Sequence, residues 1–287
     1  MKVGIIGLGL IGGSMAIDLK RKGFATEVLG VESEPVNAAA AQKIGLIDRV
    51  VSLEECMAES DIIVLAVPVG TAASILPTVL ESGKIVTDVC STKEMLVNVV
   101  KGHPARRRYV PSHPMAGTEY SGPWAAMPGL FDGHACIICD PEDSDPKAVE
   151  LIEELYTVLN MRTIEMSSVS HDVHTAYVSH ISHITSFALA LTVLDKERDE
   201  KHIFDLASGG FSSTVRLAKS SPDMWTPILS QNKDNILQVM DTYIEKMNAF
   251  RQAIADGDEE KVHDGCDRRD RLRCLCGGPP HLLQVQG

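Results

Sequence analysis

Val3-Gly4-Ile5-Ile6-Gly7-Leu8-Gly9-Leu10-Ile11-Gly12-Gly13-Ser14 is an apolar run that ends in a cluster of glycines. Val3 to Ile6 have the composition of a buried strand, and Gly7, Gly9 and Gly12 stand at the three glycine positions of a dinucleotide-binding turn. The first glycine permits the tight turn, the second lets backbone amides approach a pyrophosphate, and the third lets the next helix pack against the strand. That helix, expected over 14–22, opens with its free amides and positive dipole end toward the phosphates, so Leu10 and Ile11 join the glycines there. A lone glycine pattern is weak, but this one follows a strand, opens a helix and precedes a second apolar run, 27–31, that ends at Glu32. An acid about 20 residues past the glycines is where a ribose 2′-hydroxyl is held, and its charge favours NAD over NADP. A solvated turn acid is the plain alternative for Glu32.

Outward from this stretch, strand and helix alternate. Pro35 to Ile44 and Leu53 to Ser60 read as helices, and Asp61 to Val67 is the continuous apolar strand of a sheet covered on both faces, ended by Pro68. A helix over 71–82, a strand over 84–89, a helix over 93–100 and a strand at 109–111 follow, then a last strand, helix and strand over 134–139, 146–159 and 162–166. The pattern predicts an α/β fold with a Rossmann-type doubly wound parallel sheet. After Ser167 strand signals stop, and an all-helical domain is expected. Tyr177, Ile181, Ile184, Phe187, Ala188 and Leu191 form one stripe on a helix over about 171–195, and Ile228, Leu237, Met240, Ile244 and Met247 form another on a single helix over about 227–255. Such stripes are core or subunit interface. The expected division is 1–166 for nucleotide binding, 167–264 for the helical part, and 265–287 as a disordered tail.

At 287 residues the chain has room for two domains, and 44% hydrophobic with 23% charged residues is an ordinary globular composition. A net charge of −12 argues against general nucleic-acid or anionic-membrane binding. No stretch reaches the ~18 uninterrupted apolar residues of a membrane span. Seven scattered cysteines argue for a reducing cytoplasm, and Cys136 and Cys139, three apart on a strand, should point to opposite faces. Cys266, Cys274 and Cys276 with His263 and His281 match no defensible zinc spacing, so no metal site is expected. Arg106 to Arg108 read as a solvated connector.

Ligands of such a sheet sit outside the carboxyl ends of the strands. That edge gathers the glycine turn, Glu32, Val67, Pro68, Ser91 and His113. His113 is the candidate base, since a neutral imidazole takes a proton near physiological pH; a His-Pro turn is the alternative. Ser91 either bonds the imidazole or substrate, or caps the helix after it. His180 and His183, one helical turn apart, are substrate or nucleotide partners or else core histidines. Arg216, beyond the glycine hinge 209–210, is a fork suited to a carboxylate, or a surface residue.

The chain resembles the prephenate/arogenate dehydrogenase family of tyrosine biosynthesis. The resemblance rests on residues 7–14, on Asp88-Val89-Cys90-Ser91-Thr92-Lys93, on Ser112-His113-Pro114-Met115-Ala116-Gly117-Thr118-Glu119-Tyr120-Ser121-Gly122, on Ser179 to His183, and on Gly209-Gly210-Phe211 with Arg216. It implies a helical dimerisation domain, hence a homodimer, and NAD-dependent oxidative decarboxylation of prephenate to 4-hydroxyphenylpyruvate. It also implies that His113 deprotonates the ring hydroxyl with help from Ser91, that His183 and Arg216 engage the substrate beside His180, and that Glu119 lies at the rim. No mutase-like extension precedes Met1 and no regulatory βαββαβ unit follows, so one activity is expected. Arogenate is the alternative substrate, and a non-catalytic NAD-binding sensor the alternative from another class.

Overall fold

The computed structural model describes residues 1–199 and 202–266. They divide into a compact unit running from Met1 to Ile236 and a second one from Leu237 on. The expected tail falls almost wholly outside the described residues; its first two positions end a helix.

The first unit is built on an eight-stranded sheet. In chain order it holds β1 (Lys2–Ile6), α1 (Leu10–Arg21), β2 (Glu27–Val31), α2 (Pro35–Lys43), β3 (Arg49–Val50), α3 (Leu53–Glu59), β4 (Ile62–Leu65), α4 (Val69–Leu80), β5 (Ile85–Asp88), α5 (Glu94–Val100), β6 (Tyr109–Pro114), β7 (Ala135–Cys139), α6 (Pro146–Val158) and β8 (Arg162–Met166). The strand order is β3-β2-β1-β4-β5-β6-β7-β8. Alternate residues serve opposite faces: Val3, Ile5, Val28, Ile62 and Val64 enter one apolar cluster, whereas Ile6, Leu29, Ile63, Leu65 and Val86 enter the other. Both faces are therefore covered, which is why these strands read as unbroken apolar runs.

The sheet departs from an all-parallel one at a single joint. β6 and β7 are antiparallel, with His113 opposite Ile137, while β7 and β8 are parallel again. A parallel neighbour needs a crossover, usually a helix; between these strands the chain makes only a short 3-10 turn, Pro123–Ala125, and turns back. The connection, residues 115–134, thus leaves and re-enters the sheet at one edge, the edge where β1, β4 and β5 also end.

Other expectations need correction. Arg106 is buried: its guanidinium donates to the Tyr109 carbonyl at 2.9 Å and lies 5.5 Å from the Tyr109 ring, so it is part of the core, unlike its exposed neighbours Arg107 and Arg108. The expected helix over 227–255 is two, α10 (Pro222–Gln231) and α11 (Lys233–Ala255), parted at Asn232. Asn232 spends its side-chain amide on the Asp172 carbonyl at 2.7 Å and on His180 Nδ1 at 3.1 Å, and so fixes the break.

After β8 come α7 (Ser168–Thr175), a π-helical turn (Ala176–His180), α8 (Ile181–Asp199), α9 (Gly209–Thr214) and a 3-10 turn (Arg216–Lys219), with α12 (Glu259–Cys266) closing the second unit. Ser167 caps α7 through its hydroxyl, which accepts from Ser170 N at 3.1 Å. By length and composition alone the run Ser168–Arg198 is apolar enough to cross a membrane. The same run buries His171, Asp172 and His180.

Candidate functional site

The glycine turn has the geometry its residues require. Gly7 adopts φ +100°, and a side chain there would lie 2.4 Å from the Ala66 carbonyl oxygen; one on Gly12 would collide with the Gly7 carbonyl oxygen. By contrast, a Cβ on Gly9 would meet open space. Gly9 sits at the N-cap of α1 with no side-chain cap, so the first amides of that helix remain available. Glu32, just past β2, reaches back to this turn: its carboxylate accepts from Leu8 N at 3.0 Å and from Glu34 N at 3.1 Å. Val67 and Pro68 follow β4 in the same way, Pro68 standing at the N-cap of α4. Uncapped helix amides, open space above Gly9 and an acid at the end of β2 match a dinucleotide's pyrophosphate and ribose.

Behind the neighbouring strand ends lies a charged pair wholly removed from water. Lys93 Nζ contacts Asp88 Oδ1, and Asp88 also accepts from Tyr109 Oη at 2.6 Å and Cys90 N at 2.9 Å. Burial opposes the ammonium charge, but Asp88 outweighs it and holds the Lys93 pKa above the usual lysine value. Ser91 does not cap α5, because Asp172 of α7 does so instead, accepting from Lys93 N at 2.8 Å and Glu94 N at 3.0 Å. The Ser91 side chain is left half-buried at the strand end.

His113 sits on β6 beside this pair. Its predecessor Ser112 points into the core, bonded to the Asp88 carbonyl at 2.7 Å and to Tyr156 Oη at 2.6 Å. Strand alternation turns His113 to the other face. There His113 Nδ1 is 2.8 Å from His171 Nε2, and His171 Nδ1 is 2.7 Å from Asp172 Oδ1. Burial first, then the neighbouring His171, Lys93 and His180, push the His113 pKa well below the ordinary histidine value. Its ring is thus neutral across the physiological range. Among the described residues Nε2 of His113 has no hydrogen-bond partner, and it is not sealed from solvent, unlike Nε2 of His180.

Two of the remaining candidates, His180 and His183, meet at Trp225 of α10. His183 stacks on that indole with centroids 3.5 Å apart, and His180 meets it edge-on at 5.9 Å. His183 Nδ1 lies 3.1 Å from the Ser179 carbonyl oxygen, so it donates and Nε2 is the open nitrogen. Burial lowers the His180 pKa to about 4. Arg216 is exposed; its Nη1 is 3.0 Å from Glu119 Oε2, and its charge adds to the burial that lowers the His183 pKa. Ser186 of α8 anchors the Arg216 turn on both sides, donating to the Thr214 carbonyl at 3.1 Å and accepting from Ala218 N at 3.1 Å. His171, Asp172, Trp225 and Asn232 were not singled out from the sequence. An adjacent His-Asp pair at a helix start was the available signal, and nothing in the chain order ties it to His113.

The family model described as "Prephenate dehydrogenase, nucleotide-binding domain" matches residues 15–165, and that described as "Prephenate dehydrogenase, dimerization domain" matches residues 167–267. The chain belongs to the prephenate dehydrogenase family. It is 34% identical over 264 residues to the prephenate dehydrogenase of Bacillus subtilis (strain 168), covering 90% of this chain and 71% of that one. It is 30% identical to the cyclohexadienyl dehydrogenase of Zymomonas mobilis, over 94% of each chain. Among solved structures, the prephenate dehydrogenase of A. aeolicus in complex with hydroxyphenyl propionate and NAD+ superposes with a TM-score of 0.85 at 27% identity, covering 96% of this chain and 98% of that one. As a prephenate dehydrogenase family member the chain is an NAD-linked oxidoreductase.

Proposed function

We propose that the protein oxidises and decarboxylates prephenate to 4-hydroxyphenylpyruvate, in the cytoplasm and as a homodimer. The observation that carries this reading is His113: a neutral imidazole at a strand's carboxyl end, with one nitrogen engaged and the other open. Bound NAD supplies the hydride acceptor. Gly7, Gly9, Leu10, Ile11 and Gly12 hold its pyrophosphate, Glu32 its ribose, and Val67 and Pro68 line the nicotinamide side.

His113 Nε2 takes the proton of the ring hydroxyl while Ser91 Oγ orients that hydroxyl. As the C–H bond at the same carbon gives up its electron pair as hydride, the bond from ring to carboxylate breaks. Its pair completes the aromatic ring, carbon dioxide leaves, and His113 returns the proton to the phenolate oxygen. Aromatisation drives the step, so the chain's work is positioning and one proton held in place. Arg216 and His183 bind substrate carboxylate, with His180 behind them and Glu119 at the rim.

The dimer reading is supported by the match to a dimerization domain and by exposed apolar side chains. Leu189, Leu191 and Leu194 lie open on α8, and Leu237, Ile244 and Met247 lie open on α11. The free thiols Cys56, Cys90, Cys136 and Cys139 support a reducing compartment. On this reading 1–166 binds the nucleotide and 167–264 supplies substrate contacts and the interface.

The test is a side-by-side assay of prephenate and arogenate, each with NAD and NADP. Fastest reduction with prephenate and NAD is expected. Equal rates on the two substrates overturn the substrate assignment, and no turnover of either leaves the sensor reading. His113→Asn should lower kcat by ~10²–10⁴ while nucleotide still binds.

A further inference from the structure

We propose that Asp172 and His171 are positioning residues that set the tautomer of His113, keeping its Nε2 the lone-pair nitrogen that faces the site. The inference rests on the reading of His113 as the base. A carboxylate only accepts hydrogen bonds, and Asp172 is held by two backbone amides, Lys93 N and Glu94 N. His171 Nδ1, 2.7 Å from Asp172 Oδ1, therefore carries a proton and donates it. That makes Nε2 of the neutral His171 ring an acceptor. His113 Nδ1 lies 2.8 Å from it and must be the donor. With its single proton committed to Nδ1, His113 presents a bare Nε2.

The opposite polarity fails at its far end, because it would set a bare His171 Nδ1 against a carboxylate oxygen. A doubly protonated His171 would also reverse the link to His113, but the ring is fully buried and burial holds its pKa below the ordinary histidine value. The pair is rigid as well. The Asp172 carbonyl accepts from Asn232 Nδ2 at 2.7 Å, and Thr175 Oγ1 donates to the His171 carbonyl at 3.0 Å. When His113 takes the hydroxyl proton, its Nδ1–H still donates to His171, so no second proton moves. The direction of every bond traces back to one buried carboxylate that also caps α5, which ties the orientation of the base to the nucleotide-binding sheet.

The decisive measurement is the histidine tautomer in the full chain. Long-range 1H–15N NMR of protein labelled with 15N-histidine, above neutral pH and with the His113 signals assigned by their loss in His113→Asn, should show His113 protonated at Nδ1. Protonation at Nε2 overturns the proposal, whatever the activity. The second arm compares His171→Gln with His171→Leu. Glutamine keeps an oxygen for His113 and an amide for Asp172, and leucine keeps neither. Leucine should lower kcat by ~10²-fold with KM for prephenate and NAD within about threefold, and glutamine should restore at least about tenfold of that loss. Equal kcat in the two variants overturns the positioning role. Unchanged turnover in His113→Asn would instead sink the base reading, with the tautomer result standing apart from it.

Discussion

Arg216 and Glu119 are joined across 97 positions of chain by a single contact, Nη1 to Oε2 at 3.0 Å. The guanidinium is half exposed, the carboxylate is largely covered, and the contact is made from the loop that β6 and β7 return through. The fork thus rests on a carboxylate of the chain itself. Arg216→Ala should raise KM for prephenate by ~10–10³-fold with a smaller fall in kcat, since a charge-assisted bond is lost in ground and transition state alike. Glu119→Gln removes the competing charge and should lower KM a few-fold. A rise in KM in steady-state assays of that variant would mean Glu119 helps to bind substrate.

Glu32, proposed above to hold the ribose, lies against the glycine turn, where a negative charge would favour NAD over NADP. The carboxylate already braces the glycine turn through Leu8 N, and a 2′-phosphate brought to it would meet like charge. Glu32→Ser should lower the ratio of kcat/KM for NAD to that for NADP by ~10–10³-fold. Part of the loss with NAD will come from the loosened turn, so both nucleotides need measuring. An unchanged ratio removes Glu32 from discrimination.

How far these sites were readable in the sequence depends on how local their causes are. Residues 3–12 and Glu32 were legible because a strand, a turn and a helix start each obey short-range rules, and their spacing survives in the fold. The reversal at β7 was not. Ala135–Cys139 has the same apolar content in either direction, and only the missing crossover helix in 115–134 sets its sense. The break at Asn232 hid inside a continuous apolar period, because its cause is the Asp172 carbonyl, 60 positions earlier. Arg106 looked like its two exposed neighbours until the Tyr109 carbonyl was found beside it. His113 could be named from its place after a strand, yet His171 and Asp172, which complete its environment, are joined to it only through the packing of α7 against β7 and α5.

The histidine cluster makes the protein acid-sensitive in a defined window. Burial depresses the pKa values of His113, His171 and His180, that of His180 to about 4. The unfolded chain takes up these protons near pH ~6.5, whereas the folded chain refuses them until lower pH. Stability from neutral burial is therefore full above pH ~6.5 and is lost as pH falls toward the folded values, with His180 alone contributing about 3 kcal/mol. Tm should fall steeply between those limits, and less so in His180→Asn. Over the same range kcat/KM, read in assays short against unfolding, should hold level through pH ~6.5, because His113 stays unprotonated there. An acid limb centred at the ordinary histidine value would contradict the burial of His113.

The buried pair Lys93–Asp88 carries the largest single expected effect on folding. Both side chains are fully excluded from water, and Asp88 is shared among Lys93, Tyr109 Oη and Cys90 N. Lys93→Met leaves a carboxylate charge among neutral donors and should cost about 3–5 kcal/mol. The double variant Asp88→Asn with Lys93→Met removes both charges and keeps an acceptor for Tyr109, so it should recover a large part of that loss. Denaturant unfolding of the parent, Lys93→Met, Asp88→Asn and the double variant decides it. Additive losses would show that the two charges are not coupled, whereas a double variant more stable than Lys93→Met locates the cost in the unpaired carboxylate. Asp172 still finds Lys93 N in every case, since the backbone amide is untouched, so kcat of the folded fraction should stay within about threefold of the parent.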